Sequence, residues 1–310
     1  MFELIQSFDN AVLTSVQGSL GFLEPAFHWI TYLGHPGFWF AIACILYWNS
    51  REKESFWMVN LIVFTSVVIG ALKAAFMRPR PTALQFFVAP ENSLVSGLGE
   101  SPYSFPSGHA GIIGSMTLFF LKPVSQIKKL KKNHWLVLGI LLIILVDLSR
   151  LVLGAHFFSD VVAGTVVGLL VGWAAWQTHL RLEKKGIKLS KLDDELGFLL
   201  TLVLAIVLLV WINPPLLTAV VLGFYGGFFW VQKAGFVQSA QNRKNQAKKT
   251  VVGLIITAIL VFAALKLPSS MEQFLVFFCA GLWVSAAWPW LFERVFTPKK
   301  HLKTVPRHNS

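Results

Sequence analysis

The chain has 310 residues, of which 55% are hydrophobic and 14% charged, and its net charge is +12. Soluble domains carry about 25% charged residues, so this composition excludes a soluble domain and describes a polytopic membrane protein, with the lipid bilayer as its first partner. The positive charge does not mark a nucleic-acid binder, because no basic stripe with interleaved aromatics is present; basic loops between apolar spans account for it.

Residues 3–22 alternate apolar and polar groups at helical spacing, which predicts an interfacial amphipathic helix within 1–25. No Lys or Arg precedes Arg51, so no cleavable signal peptide is expected. Apolar runs of bilayer-crossing length then follow at 30–48, 56–76, 108–122, 135–153, 158–179, 196–212, 215–232, 250–265 and 273–293. Asn213-Pro214-Pro215 separates the sixth from the seventh, since a helix cannot continue through it. The fold class expected is all-α: a transmembrane bundle of about nine spans. A core at 26–195 carries the chemistry, four appended spans fill 196–294, and a basic tail closes the chain at 295–310. Cys44 and Cys279 sit inside apolar runs and read as small buried hydrophobes.

The loops test that count. Nine spans put 49–55, 122–134, 180–195, 233–249 and the tail on one side, and these hold 22 of the 27 basic residues. That asymmetry places the C-terminus in the cytoplasm and the N-terminus outside. The outer loops hold no Asn-X-Ser/Thr acceptor, which points to a bacterial inner membrane. The five exceptions are Lys73, Arg78, Arg80, Arg150 and Lys266. Four of them cluster where the sequence carries its polar motifs, and anion binding is one reason for a cation to stand there.

Three stretches carry that chemistry. In KAAFMRPRP, 73–81, Lys73 lies in the last turn of a span, and Arg80 stands between two prolines on a stiff extended segment. Alone, this also reads as a snorkelling lysine beside a helix stop. In SPYSFPSGHA, 101–110, Ser107 is a plausible helix cap, Gly108 allows close approach to the backbone, and His109 stands at a helix start that favours an anion. An ordinary capped start with a chance histidine fits the same letters. In SRLVLGAHFFSD, 149–160, His156 and Asp160 are four apart and would share a helical face, with the carboxylate fixing the imidazole tautomer. Arg150 offers a planar fork for phosphate oxygens, or a structural ion pair with Asp147. Charged groups at membrane depth cost about 2.5–3.5 kcal/mol on insertion scales and are more often functional. Taken together at one membrane face, the three stretches describe an oxyanion site with a nucleophile and a proton donor. No cofactor is expected, and no metal: no residue set has metal-ligand spacing.

These residues resemble the type 2 phosphatidic acid phosphatase superfamily of lipid phosphatases, whose relatives include glucose-6-phosphatase and vanadium haloperoxidases. The resemblance rests on Lys73 with Arg80-Pro81, on Pro106-Ser107-Gly108-His109, and on Ser149-Arg150, His156 and Asp160. It covers residues 56–180 and says little about 196–310. It implies that His156 attacks phosphorus to form a phosphohistidine, that Asp160 orients it, and that His109 protonates the leaving oxygen. Lys73, Arg80, Arg150 and the Ser107–Gly108 backbone would hold the phosphate. The expected activity is metal-independent hydrolysis of a membrane lipid phosphate at the extracytoplasmic face. Undecaprenyl diphosphate, phosphatidylglycerol phosphate and phosphatidic acid are the expected substrates. A sugar-phosphate phosphatase, a lipid phosphotransferase and a non-catalytic anion or lipid transporter are the alternatives, and the oligomeric state stays open.

Overall fold

The computed structural model describes residues 2–81, 101–124, 132–184, 203, 215–234 and 242–296. Among them every element is helical. They run in the order α1 (Glu3–Leu20), a 3-10 turn (Gly21–Leu23), α2 (Glu24–Ile30), a second 3-10 turn (Thr31–Gly34), α3 (Pro36–Trp48), α4 (Glu52–Phe76), α5 (Gly108–Val124), α6 (Lys132–Val152) and α7 (Phe158–Lys184). Then come α8 (Pro215–Lys233), α9 (Arg243–Leu265), α10 (Ser270–Leu282), a π turn (Trp283–Ala287) and α11 (Trp288–Phe296). Among the described residues one β-bridge, outside the helices, joins Pro79 to Tyr103.

Five of these helices are long and apolar enough to cross a bilayer: Glu52–Phe76, His134–Val152, Phe158–Lys184, Arg243–Leu265 and Met271–Phe296. A sixth results if Glu3–Gly34 and Pro36–Trp48, bent by 53°, count as one broken span. The expected span at 108–122 is a shorter apolar helix, Gly108–Phe120, and that at 215–232 is helical throughout. The expected span at 196–212 lies outside the described residues except for Val203, as does the tail beyond Phe296.

The residues divide into two compact units, with boundaries between Phe40 and Ala41 and between Trp57 and Met58. The first unit holds α1, α2, most of α4, and α5–α7. Glycines set its closest packing. A Cβ on Gly164, Gly168 or Gly172 of α7 would come within 3.0 Å of the backbone carbonyl of Ser107, just before α5, or of Gly111 or Ser115 within it. Small residues four apart are how membrane helices let backbones touch. Because these contacts fix α5 against α7 in register, they place the two helix starts side by side. Thr65 Oγ1 of α4 donates to Ser115 Oγ at 3.0 Å and ties a third helix to the pair. Leu13 of α1 joins Ala110, Leu151, Phe157 and Val161 in one buried cluster, so α1 is seated against the starts of α5 and α7.

The second unit follows similar rules. Gly223 of α8 faces the Phe278 carbonyl, and Gly281 of α10 faces that of Val220, each too close for a Cβ. Asn242 and Ser269 cap α9 and α10, each side chain accepting a backbone N–H three residues on. Lys249 and Glu293 form a buried pair at 3.6 Å. In the π turn, Tyr47 Oη donates to the Ser285 carbonyl at 2.7 Å and Trp48 Nε1 to that of Val284 at 2.9 Å.

Candidate active site

The site begins with a chain reversal. Gly154 has φ +62°, the left-handed region that only glycine enters at no steric cost. Its N–H donates to the Leu151 carbonyl and that of Ala155 to the Arg150 carbonyl, both at 2.9 Å, the bonding of a Schellman motif. This turn ends α6 and puts His156 two residues before α7 instead of on the helix. The shared helical face expected for His156 and Asp160 is therefore replaced by a cap. Asp160 is the third residue of α7, and its Oδ2 accepts the Phe157 N–H at 2.9 Å, half of a capping box. The same oxygen stands 3.7 Å from His156 Nδ1, beyond hydrogen-bond reach, and among the described residues that buried nitrogen makes no hydrogen bond. Asp160 thus fixes His156 first through the peptide that follows it.

Ser107, Gly108 and His109 lie at the start of α5. The Ser107 N–H donates to the Asp160 carbonyl at 2.9 Å, which links the two helix starts directly. Ser107 Oγ accepts the Ala110 N–H at 3.5 Å, a long cap. At Gly108 a Cβ would meet only Ile69, at 3.9 Å, so the backbone there is open. His109 is pressed by the 3-10 turn ahead of α3. A Cβ on Gly34 would stand 2.8 Å from His109 Cβ and 2.7 Å from Val146 Cγ1. His35 follows, with its ring 5.7 Å from that of His109. No motif spacing pointed to Gly34 or His35, because they reach His109 only through the bend before α3.

The three expected phosphate-binding cations are held by oxygen atoms. Lys73 Nζ donates to the carbonyls of Tyr103 and Ser104. Arg80 donates through Nε and Nη2 to the Ser101 carbonyl and through Nη1 to that of Ala155 at 3.2 Å. Arg150 Nη1 donates to Thr31 Oγ1 at 2.7 Å. Asp147, the alternative partner for Arg150, accepts instead from Thr165 Oγ1 at 2.8 Å. Burial first, and then the charges of Arg80, Lys73 and Arg150 with His109 beside them, hold the His156 imidazole well below the usual histidine range. His156 is therefore neutral near pH 7 and its lone pair is available.

Sequence reasoning left Arg78 and Asp9 out of the site. Arg78 is 2% exposed, and its guanidinium lies between the rings of Phe2 and Phe157 at 4.5 and 4.2 Å. It donates to Asp160 Oδ1 and to Asp9 Oδ2, both at 2.7 Å. Asp9 comes from α1 and is fully buried. Its carboxylate also accepts the Ser159 N–H and hydroxyl, at 3.0 and 2.6 Å. One signal was present in the sequence, since Arg78 was already a cation on the wrong side of the charge asymmetry. Asp9 gave none, because its partners lie 69 and 150 residues away.

In this multi-pass helical membrane protein, two imidazoles, a carboxylate and three cations lie at or near helix ends of the first unit. The chain belongs to the PAP2 superfamily, whose family model matches residues 54–184, and the transmembrane extension of PAP2 superfamily phosphatases matches residues 215–300. Lipid A 4'-phosphatase of Porphyromonas gingivalis is 28% identical over 145 residues, 45% of this chain and 58% of that protein. Phosphatidylglycerophosphatase B of Bacillus subtilis is 38% identical over 76 residues, 23% of this chain and 37% of that protein. The chain thus covers less than two thirds of either relative's length. Undecaprenyl-diphosphatase of Sulfolobus acidocaldarius is 38% identical over 178 residues, 56% of this chain and 76% of that protein. No solved structure matches the chain.

Proposed function

We propose that this protein is a membrane lipid phosphatase that works through a phosphohistidine at His156. The observation that carries this reading is a buried His156 among Lys73, Arg80 and Arg150, with Asp160 engaging the next peptide. Nε2 of His156 attacks phosphorus, and the bond to the lipid oxygen breaks as His109 gives that oxygen a proton. Water then attacks the phosphohistidine, returning a proton to His109 and releasing inorganic phosphate and free His156. Lys73, Arg80, Arg150 and the open backbone at Ser107–Gly108 hold the phosphoryl oxygens, and such electrostatic positioning supplies most of the catalysis in phosphoryl transfer. Asp160 stabilises the imidazole as it becomes positive.

The substrate class follows from the relatives, whose names specify lipid A, phosphatidylglycerophosphate and undecaprenyl diphosphate. Charge asymmetry supports a cytoplasmic C-terminus and an extracytoplasmic site, and the outer loops without an Asn-X-Ser/Thr acceptor support a bacterial inner membrane. The two family matches support a core ending near residue 195 and an appended block at 196–294. The test is phosphate release by detergent-purified protein in EDTA, from undecaprenyl diphosphate, phosphatidic acid and glucose 6-phosphate. Release from a lipid is expected, with at least about a thousandfold loss in His156→Ala, the scale at which removing a nucleophile acts. Release only from the sugar phosphate would change the substrate class, and equal activity in the variant would overturn the mechanism.

A further inference from the structure

The buried cluster beside His156 has an unusual charge count. Arg78 touches two carboxylates, Asp160 at 2.7 Å and Asp9 at 2.7 Å, while Gln6 Oε1 accepts from the same guanidinium at 2.9 Å. With both carboxylates ionised, two negative charges meet one positive charge and the cluster carries one net negative charge. Without Asp9, Arg78 would neutralise Asp160. The carboxylate that faces His156 would then sit in a neutral cation–anion pair, its field at His156 weakened, inside a site that already holds Lys73, Arg80 and Arg150. We propose that Asp9, delivered by α1, is a positioning residue that occupies Arg78 and so leaves Asp160 its negative charge for His156. This inference rests on the phosphohistidine reading and adds to it a required N-terminal helix.

Three further features fit. Asp9 accepts from the first turn of α7 through Ser159, where a helix start favours a negative charge. Leu13, one turn along α1, is buried with Phe157 and Val161, the residues flanking that turn. Phe2 closes the outer face of the Arg78 guanidinium. Helix α1 and the residue before it therefore reach the cluster by charge, by packing and by a ring.

The experiment compares Asp9→Asn, Arg78→Gln and the double variant with wild type, reading kcat, KM, thermal stability and the pH profile of kcat/KM. The groups facing His156 are Asp160, Arg150, Lys73, Arg80 and His109, with Arg78 and Asp9 behind Asp160. In Asp9→Asn the surroundings of His156 become more positive, which disfavours its protonation. The acid limb should move down by about one pH unit, with kcat falling about tenfold or more and KM little changed. The double variant restores the single negative charge on Asp160. It should recover the position of the limb and part of kcat even where its thermal stability is lower than that of either single variant. A loss of stability and kcat with the limb unmoved, and no recovery in the double variant, would make Asp9 a structural anchor and overturn the inference. An Asp9→Asn enzyme that keeps both kcat and the limb would overturn it equally, while leaving the phosphohistidine intact. An inactive wild type would overturn the underlying reading, and the inference with it.

Discussion

At the scale of single residues, His156 makes the sharpest prediction. Its conjugate acid is destabilised by burial and by three neighbouring cations, so protons leave it more readily than from a free imidazole. The neutral, attacking form then persists to lower pH. The acid limb of kcat/KM should fall below about pH 6.5, the ordinary histidine value. An acid limb above that value would contradict the electrostatic account. His156, His109, Asp160, Lys73, Arg80 and Arg150 were legible because local spacing encodes them: each lies within a short motif next to a helix end. Asp9 was not legible, because a buried pair between α1 and the segment after α4 leaves no periodic trace in either. The Asp160–His156 relation was legible in its partners but not in its form. Four-residue spacing suggests a helical face, whereas Gly154 ends one helix and the next begins only at Phe158.

At the scale of elements, the α5–α7 contact positions the chemistry. Gly168 has no room for a methyl group against the Gly111 carbonyl, while Gly108 has open space. Gly168→Ala should therefore separate the helices, costing about 2 kcal/mol of stability and lowering kcat along with it. Gly108→Ala should leave thermal stability intact and raise KM, since only the approach of phosphate to the backbone is blocked. A thermal melt and a Michaelis–Menten curve for each variant separate the two effects. If Gly168→Ala melted like wild type, close backbone packing would not be what holds the helix starts together. The glycines of α7 recur every four residues, so this packing face was present in the sequence. Its partner was not, because nothing local states that the carbonyls of α5 fill those positions.

At the scale of the whole molecule, α7 measures the membrane. Its 27 residues rise about 40 Å, enough to cross the hydrocarbon and both headgroup layers. Phe158 and Lys184 should then lie at opposite faces. In a chain with Cys44 and Cys279 replaced, an impermeant maleimide added to intact cells should label Pro102→Cys, on the exposed loop beside the site, and leave Lys184→Cys unlabelled until the cells are opened. The reverse pattern would invert the orientation drawn from the charge asymmetry. The helical, membrane-crossing character was legible from composition, because crossing a bilayer demands apolar helices; the bend between Gly34 and Pro36 was not. The Asp9 cluster also has a consequence in time. Asp9 emerges from the ribosome 69 residues before Arg78 and 150 before Ser159. At about 5–20 residues per second, synthesis of that intervening chain takes roughly 8–30 s. Until then α1 carries a carboxylate whose buried partners do not yet exist, so it can dock only once the start of α7 has been made.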